Sequence, residues 1–347
     1  MSRLKKIYKL LLILLPVSVA AAFFLVYIIY WPFVPSGEQS ADILVRWGAN
    51  LTTVAQQLEH KGVIRSADQF IFTARWFDQT KKLRVGKFAL RQGSSNHAVL
   101  QGLIKGPQAF IALTLPDGYD SRRFAQMIES QLEIDSARTM ALVHDPHFIA
   151  EMGIQASSLE GYLFPETYYM TFGLKAEQVL KLLVAQFKEN LPDSVIRLGV
   201  SKGMDLNQIV TLASIIEGEA MVEEEKPVIS SVYHNRLKMG MKLQADPTIQ
   251  YILPEGPRRL LRRDLSIESP YNTYLYPGLP PGPINNPGLN AIIAAVAPAD
   301  TDYLFFVANG DGTHSFSTTY SRHLQAKRRF DQVRRQVEKE EKQSRHE

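Results

Sequence analysis

The chain has no cysteine among its 347 residues. That excludes disulfides, thiol nucleophiles and thiolate metal sites. It also lacks a strong charge imbalance: 39 Lys and Arg against 35 Asp and Glu leave a net charge of +4. This is too little to point to nucleic acid, and no nucleic-acid partner is expected. No convincing metal set stands out. The histidines of "HDPH" (144–147) have no third ligand beside them, and "NGDG" (309–312) reads as a hairpin turn rather than a phosphate loop. Neither a metal nor a cofactor is expected. Apolar residues, in contrast, are plentiful at 45%, enough for a sizeable core. The length calls for two or three domains.

The N-terminus carries the longest apolar run. "MSRLKKIYK" supplies Arg3, Lys5, Lys6 and Lys9, and an almost uncharged stretch follows from Leu10 to Val34. At 1.5 Å per residue such a run crosses a hydrocarbon layer of roughly 30 Å. Tyr27, Tyr30 and Trp31 fall at its far end, where an interfacial aromatic belt belongs. The basic flank places residues 1–9 in the cytoplasm and everything beyond the span outside. A cleaved signal peptide is the competing reading, with "AAA" at 20–22 as the cleavage site. The apolar run continues well past those alanines, which favours a retained single-span anchor over 10–34.

Beyond a short linker, alternation at Ile43, Val45 and Trp47 predicts a strand. Gly48 turns the chain, Asn50 or Thr52 caps a short helix with Val54, Ala55 and Leu58 inward, and Gly62 ends it. A second helix over "SADQFIFTARWF" and a strand near "GKFAL" follow. A weak internal repeat aligns "GANLTTVAQQLE" (48–59) with "GYDSRRFAQMIE" (118–129), each behind a strand-like run. It reads either as a duplicated β-α-α-β unit or as two ordinary strand–turn–helix units. From about 114 onward the pattern mixes helix and strand, an α+β class. Asp205 with Gln208 forms a capping box for a helix over 206–217. Pro227 and Gly240 bracket another helix. Residues 302–325 read as a hairpin, and the charge-rich end, 331–347, as a tail.

Glu217 is the residue of chemical interest. It interrupts the apolar run of "LASIIEGEA" (212–220). On a helix, Val210, Ala213 and Ser214 share its side and predict a groove floored by small residues. The C-terminal dipole and burial both disfavour its anion, which raises the pKa as a general acid requires. The plain alternative is an acid opening the polar stretch that contains Glu219, Glu223, Glu224 and Glu225. Glu219, two residues on, points elsewhere on a continuing helix. "NRLKMGMKLQADPT" (235–248) gathers Asn235, Arg236, Gln244 and Asp246 around a turn. The loop 269–288 offers tyrosines and amides on a backbone stiffened by Pro277, Pro280, Pro281 and Pro283. "LEGYLFPETYY" (159–169) mixes acids with aromatics likewise. Flat aromatic faces beside amides suit a glycan.

"SLEGYLFPETY", "LASIIEGEA", "VYHNRLKMGMKLQADPTIQY", "YNTYLYPGLPPGPINNPG", "AAVAPADTDYLFFVANGDGTHSFSTTYSRH" and the N-terminal span together resemble the YceG-like endolytic murein transglycosylases, the MltG family, over roughly residues 40–325 in order. The resemblance implies a small LysM-like domain over 40–112 and a catalytic domain over 113–330. It implies cleavage of the β-1,4 bond between N-acetylmuramic acid and N-acetylglucosamine in peptidoglycan, without water. The muramic 6-hydroxyl attacks its own anomeric carbon and leaves a 1,6-anhydro end. Glu217 falls on the family's catalytic acid, and one carboxyl suffices, unlike the usual glycosidase pair. Glu219, flanked by Gly218 and Ala220 where many members carry larger or hydroxylated residues, falls on a second acid of the motif. Asn235, Arg236, Gln244 and Asp246 would shape the sugar cleft, with Tyr271, Asn272 and Tyr274 lining it and His314 and His323 behind. Penicillin-binding peptidoglycan synthases are the implied protein partners, and the inner membrane the implied location. A water-using muramidase working through Asp246 or Glu219, a non-catalytic peptidoglycan-binding scaffold and a cytoplasmic-side adaptor are the alternatives.

Overall fold

The computed structural model describes residues 2–32, 39–254, 256, 258–330 and 332. The charged tail over 331–347 therefore lies, but for one residue, outside the described part. The chain divides between Ala112 and Leu113 into two compact units, with the short segment Tyr169–Leu174 belonging to the first.

The first unit opens with α1 (Ser2–Tyr30). Its stretch Leu11–Tyr30 is the one helix among the described residues long and apolar enough to cross a membrane. It ends at Tyr30, because Pro32 follows and the residue before a proline disfavours helix. Pro16 removes one helical donor, and the Ser18 hydroxyl donates to the carbonyls of Leu14 and Leu15 nearby. Next come β1 (Ser40–Val45), α2 (Leu51–His60), α3 (Ala67–Trp76), β2 (Gly86–Arg91) and α4 (Asn96–Lys105). β1 and β2 pair antiparallel, with Ile43 opposite Phe88. The inward residues Ile43, Val45, Val54, Ala55, Leu58, Phe70, Phe88 and Leu100 form one core. The strand stops at Val45, short of the expected Trp47, which is exposed. Asn50, not Thr52, is the cap of α2, accepting from Thr53 N at 2.7 Å.

β3 (Phe110–Thr114) pairs with β4 (Thr167–Thr171), and α5 (Ser121–Leu132), α6 (Ser136–Val143) and α7 (Pro146–Glu151) lie between them in sequence. The internal repeat therefore marks a shared local design. In each copy a glycine at φ near +73° turns the chain, Gly48 and Gly118. A side-chain carbonyl or carboxylate then caps the following helix: Asn50 on Thr53 N, Asp120 on Arg123 N. Each copy runs strand–helix–helix–strand, the second with α7 added. The "HDPH" segment is the start of α7, where Asp145 accepts from His147 N and Phe148 N.

The rest of the second unit is chiefly helical: α8 (Ala176–Asn190), α9 (Asp193–Ser201), α10 (Leu206–Glu219), α11 (Lys226–Lys238), α12 (Asp246–Ile252) and α13 (Leu289–Val296). A hairpin of β5 (Phe305–Ala308) and β6 (His314–Ser317) follows, turning at the NGDG segment as expected. α10 is central. Residues 209–216 are all buried, and its apolar faces pack on α13 and α11. The Asp205–Gln208 capping box forms at its start, with Gln208 N donating to Asp205 Oδ1 at 2.8 Å. α11 begins beside Pro227, and Gly240 follows its end at φ +67°.

Asp205→Ala removes this cap from the helix that carries Glu217. Urea unfolding is expected to show a loss of about 1 kcal/mol.

Candidate active site

Glu217 lies in the last turn of α10 with its side chain 8% exposed. Three segments meet its carboxyl. Gly288, the N-cap of α13, donates its N–H to Oε2 at 3.1 Å. Lys226, first residue of α11 and 2% exposed at the side chain, places Nζ 3.1 Å from Oε1 and 3.2 Å from Oε2. The turn before α5 brings Gly118 against the Glu217 methylenes and Asp117 over Gly288. A β-carbon at 288 would stand 2.7 Å from Asp117 Oδ2, so only glycine lets this carboxylate approach the helix start.

Burial pushes the Glu217 carboxyl above the usual carboxylate range; Lys226 and the Gly288 N–H oppose this, and Asp117 adds to it. Asp117 is also raised, first by burial, with Lys226 opposing and Glu223 and Glu166 adding. Burial works against the charge on Lys226, but its two glutamates outweigh it and hold the ammonium above its usual range. The upward shifts of Glu217 and Lys226 are compatible because Glu223 Oε1, at 2.6 Å, anchors the ammonium independently.

The surroundings are held by Asn286, which is fully buried. Its side-chain oxygen accepts from Gly161 N and Leu163 N, and its amide donates to Tyr119 O and Glu160 Oε1. Its backbone carbonyl accepts from Gly118 N. Glu160 in turn accepts from Ser121 N, the first helical donor of α5. One asparagine thus fixes the turn at 117–121, the segment 160–163 and the loop around 286 against one another.

Two hollows open near Glu217, lined by its neighbours rather than by Glu217 itself. One, of about 190 Å³, is lined by Gly118, Asp120, Arg123, Gly218, Tyr251 and Asn285. The other, of about 500 Å³, is lined by Leu115, Asp117, Phe164, Glu166, Gly288 and Leu289. A further hollow of about 620 Å³, with Lys202, Asp205, His234 and Lys238, lies at the start of α10. Twelve helical residues, or about 18 Å, separate it from Glu217, so it stands apart from the acid. The expected groove floored by Val210, Ala213 and Ser214 is absent. Those residues are buried; Ser214 Oγ accepts from Ile284 N, and its carbonyl accepts from the Asn285 amide. The small side chains on that face admit the loop 283–286, and open space begins only at Gly218.

The motif residues occupy a neighbouring framework. Glu219 points away from Glu217, as anticipated, and accepts from Tyr233 OH at 3.0 Å. Burial and the charge of Asp246 push its carboxyl up to about 7. Asp246 accepts from Tyr274 OH at 2.5 Å. Arg236 is buried and donates to the carbonyls of Leu304 and Leu243. Asn235 donates to Thr301 O and Tyr303 O, and Asn272 to Leu265 O and Ile267 O. Gln244 is exposed at φ +50°, with its N–H donating to Thr273 O. Tyr271 packs its ring 5.1 Å from Tyr251, which lines the smaller hollow. His314 pairs with Glu225 at 2.6 Å, steadying the segment before Lys226, while His323 stacks near Tyr320 and Phe305.

Asp117, Lys226, Gly288 and Asn286 were not singled out by the sequence reading. Lys226 did carry a signal: a lysine in the first turn of a helix opposes the dipole, so a specific acidic partner was to be sought.

Glu160 generates a pH prediction. Burial and Asp120 push its carboxyl from 4.5 up to about 8 against the N–H bonds it accepts. The folded state then binds a proton that the unfolded state has released, so the contribution of Glu160 to stability is greatest below about pH 4.5 and is lost as pH rises through about 8. Glu160→Gln is expected to reduce this decline, leaving what the other raised carboxyls, Glu219, Glu217 and Asp117, contribute, as read from urea midpoints at pH 5 and 8.

Comparisons with known proteins agree with this architecture. The family model described as "YceG-like family" matches residues 43–329. A Bacillus subtilis protein named endolytic murein transglycosylase is 29% identical over 315 residues, covering 86% of this chain and 87% of that protein. One of the same name from Streptococcus pneumoniae is 30% identical over 312 residues; the match covers 80% of this chain and 56% of the longer relative. The crystal structure of a YceG-like protein from Listeria monocytogenes superposes with a TM-score of 0.61 at 30% identity, covering 83% of this chain and 98% of that one. With a family match running through both units and nearly the whole described length, the chain belongs to the YceG-like family.

Proposed function

We propose that this chain is an endolytic murein transglycosylase, with Glu217 as its acid and base. The observation that carries the reading is a buried carboxyl with raised pKa beside Gly118, Gly218 and Gly288, which line two open hollows, an arrangement suited to protonating a bond within a longer strand. A peptidoglycan strand lies across Glu217. Its carboxyl proton goes to the glycosidic oxygen between N-acetylmuramic acid and N-acetylglucosamine, and the bond to the muramic anomeric carbon breaks. The muramic 6-hydroxyl then bonds to that carbon, and its proton returns to Glu217. The product end is a 1,6-anhydro sugar, and no water is consumed.

A muramidase would need a second carboxylate to activate water. Glu219 and Asp246 are instead engaged with Tyr233 and Tyr274, which disfavours a muramidase working through either of them. Asn235, Arg236, Gln244, Asp246 and Asn272 act in this reading by holding the cleft's irregular backbone, and Tyr271 and Tyr274 by bordering it. The first unit, β-α-α-β in its strand and helix order, is LysM-like and presents or orients the strand. α1 anchors the protein in the inner membrane, N-terminus in the cytoplasm, so that both units work outside. There the cut ends strands made by penicillin-binding synthases.

The test is a digest of purified glycan strands followed by mass spectrometry of the new ends. Ends one water lighter than reducing sugars are expected. Glu217→Gln is expected to lose turnover by about a thousandfold while still sedimenting with peptidoglycan. Free reducing ends, or a Glu217→Gln protein that still cuts, would overturn the reading.

A further inference from the structure

Lys226 is an expensive residue in its position. It starts α11, where the helix dipole opposes a cation, and its side chain is almost fully desolvated. Its bonds show what the position achieves. Nζ reaches both oxygens of Glu217 and one of Glu223. The other Glu223 oxygen accepts from Asn290 Nδ2 in the first turn of α13 at 3.0 Å. The ammonium therefore stands between a dry carboxyl, Glu217, and a half-exposed one, Glu223, whose side chain is 55% accessible.

We propose that Lys226 is a positioning residue for the acid: its ammonium compensates the carboxylate that Glu217 becomes midway through the reaction, and Glu223 draws part of that charge outward so that Glu217 still holds its proton at the start. This rests on Glu217 as the proton donor. When the glycosidic oxygen takes the proton and leaves with the electron pair of its bond to the anomeric carbon, a carboxylate forms in a place closed to water. Gly288 N–H and Lys226 are the donors that face it. When the 6-hydroxyl oxygen bonds to the anomeric carbon, its proton returns to the same carboxylate, and the enzyme is restored. A cation held only by Glu217 would ionise the acid at rest, whereas no cation would make the proton hard to give up. The other charged groups facing this cluster are Asp117, from the turn before α5, and Glu166 behind it, both disfavouring negative charge on their neighbours.

The experiment is the pH–rate profile for release of anhydro ends by the full-length protein on purified glycan strands. The alkaline limb reports loss of the proton from Glu217. Lys226→Met is expected to move this limb up by about one pH unit and to lower kcat at least about tenfold with KM little changed. Glu223→Gln, at a half-exposed side chain, frees the ammonium toward Glu217 and is expected to move the limb the other way, to lower pH. Unmoved limbs, or limbs displaced in the same direction, would overturn the proposal. If Lys226→Met fails to fold, the direction of the Glu223→Gln shift decides alone. Glu217→Gln run alongside separates the two failures: if it still cuts, the acid assignment falls; if it is inactive and the limbs do not move, only the role of Lys226 falls.

Discussion

A carboxyl withheld from water beside an equally dry ammonium is the constraint around which the second unit is organised. The ammonium would not tolerate this environment alone, since burying an unpaired charge costs several kcal/mol. The pair survives because Gly288 and Glu223 complete its hydrogen bonds. The placement of Gly288 is supported by Asn286, which holds the turn before α5 and the loop before α13 in register.

The polar residues of the long motifs do a different kind of work. The loops at 240–245, 265–276 and 301–304 are irregular, and their backbone carbonyls have no ladder to join. Arg236, Asn235 and Asn272 meet that need, each spending donors on two loop carbonyls. Thr273 adds its hydroxyl to Ala245 N and Thr248. A run of Asn, Arg and Thr that looks like a sugar-binding surface in one dimension is here largely the internal support of the cleft.

Two hollows open near Glu217. Arg123, Asp120 and Tyr251 line the smaller one, while Leu115, Phe164 and Leu289 share the larger one with Asp117, Glu166 and Asn190.

Local features were legible because their causes lie within a few residues. The apolar run of α1, the Asp205 capping box, the Asn50 cap, the Gly240 stop and the NGDG hairpin each follow from neighbours in sequence. So did the raised pKa of Glu217, since the apolar helix around it already implied burial. What remained hidden was whatever needed partners from far along the chain. The expected groove along Val210, Ala213 and Ser214 is filled by a loop some 70 residues later. Asp117, Lys226 and Gly288 reach Glu217 from three separate segments. The chain alone determined that an acid would end a buried helix. Only the tertiary structure decided what faces that acid, because desolvation and charge act through space and carry no period in the sequence.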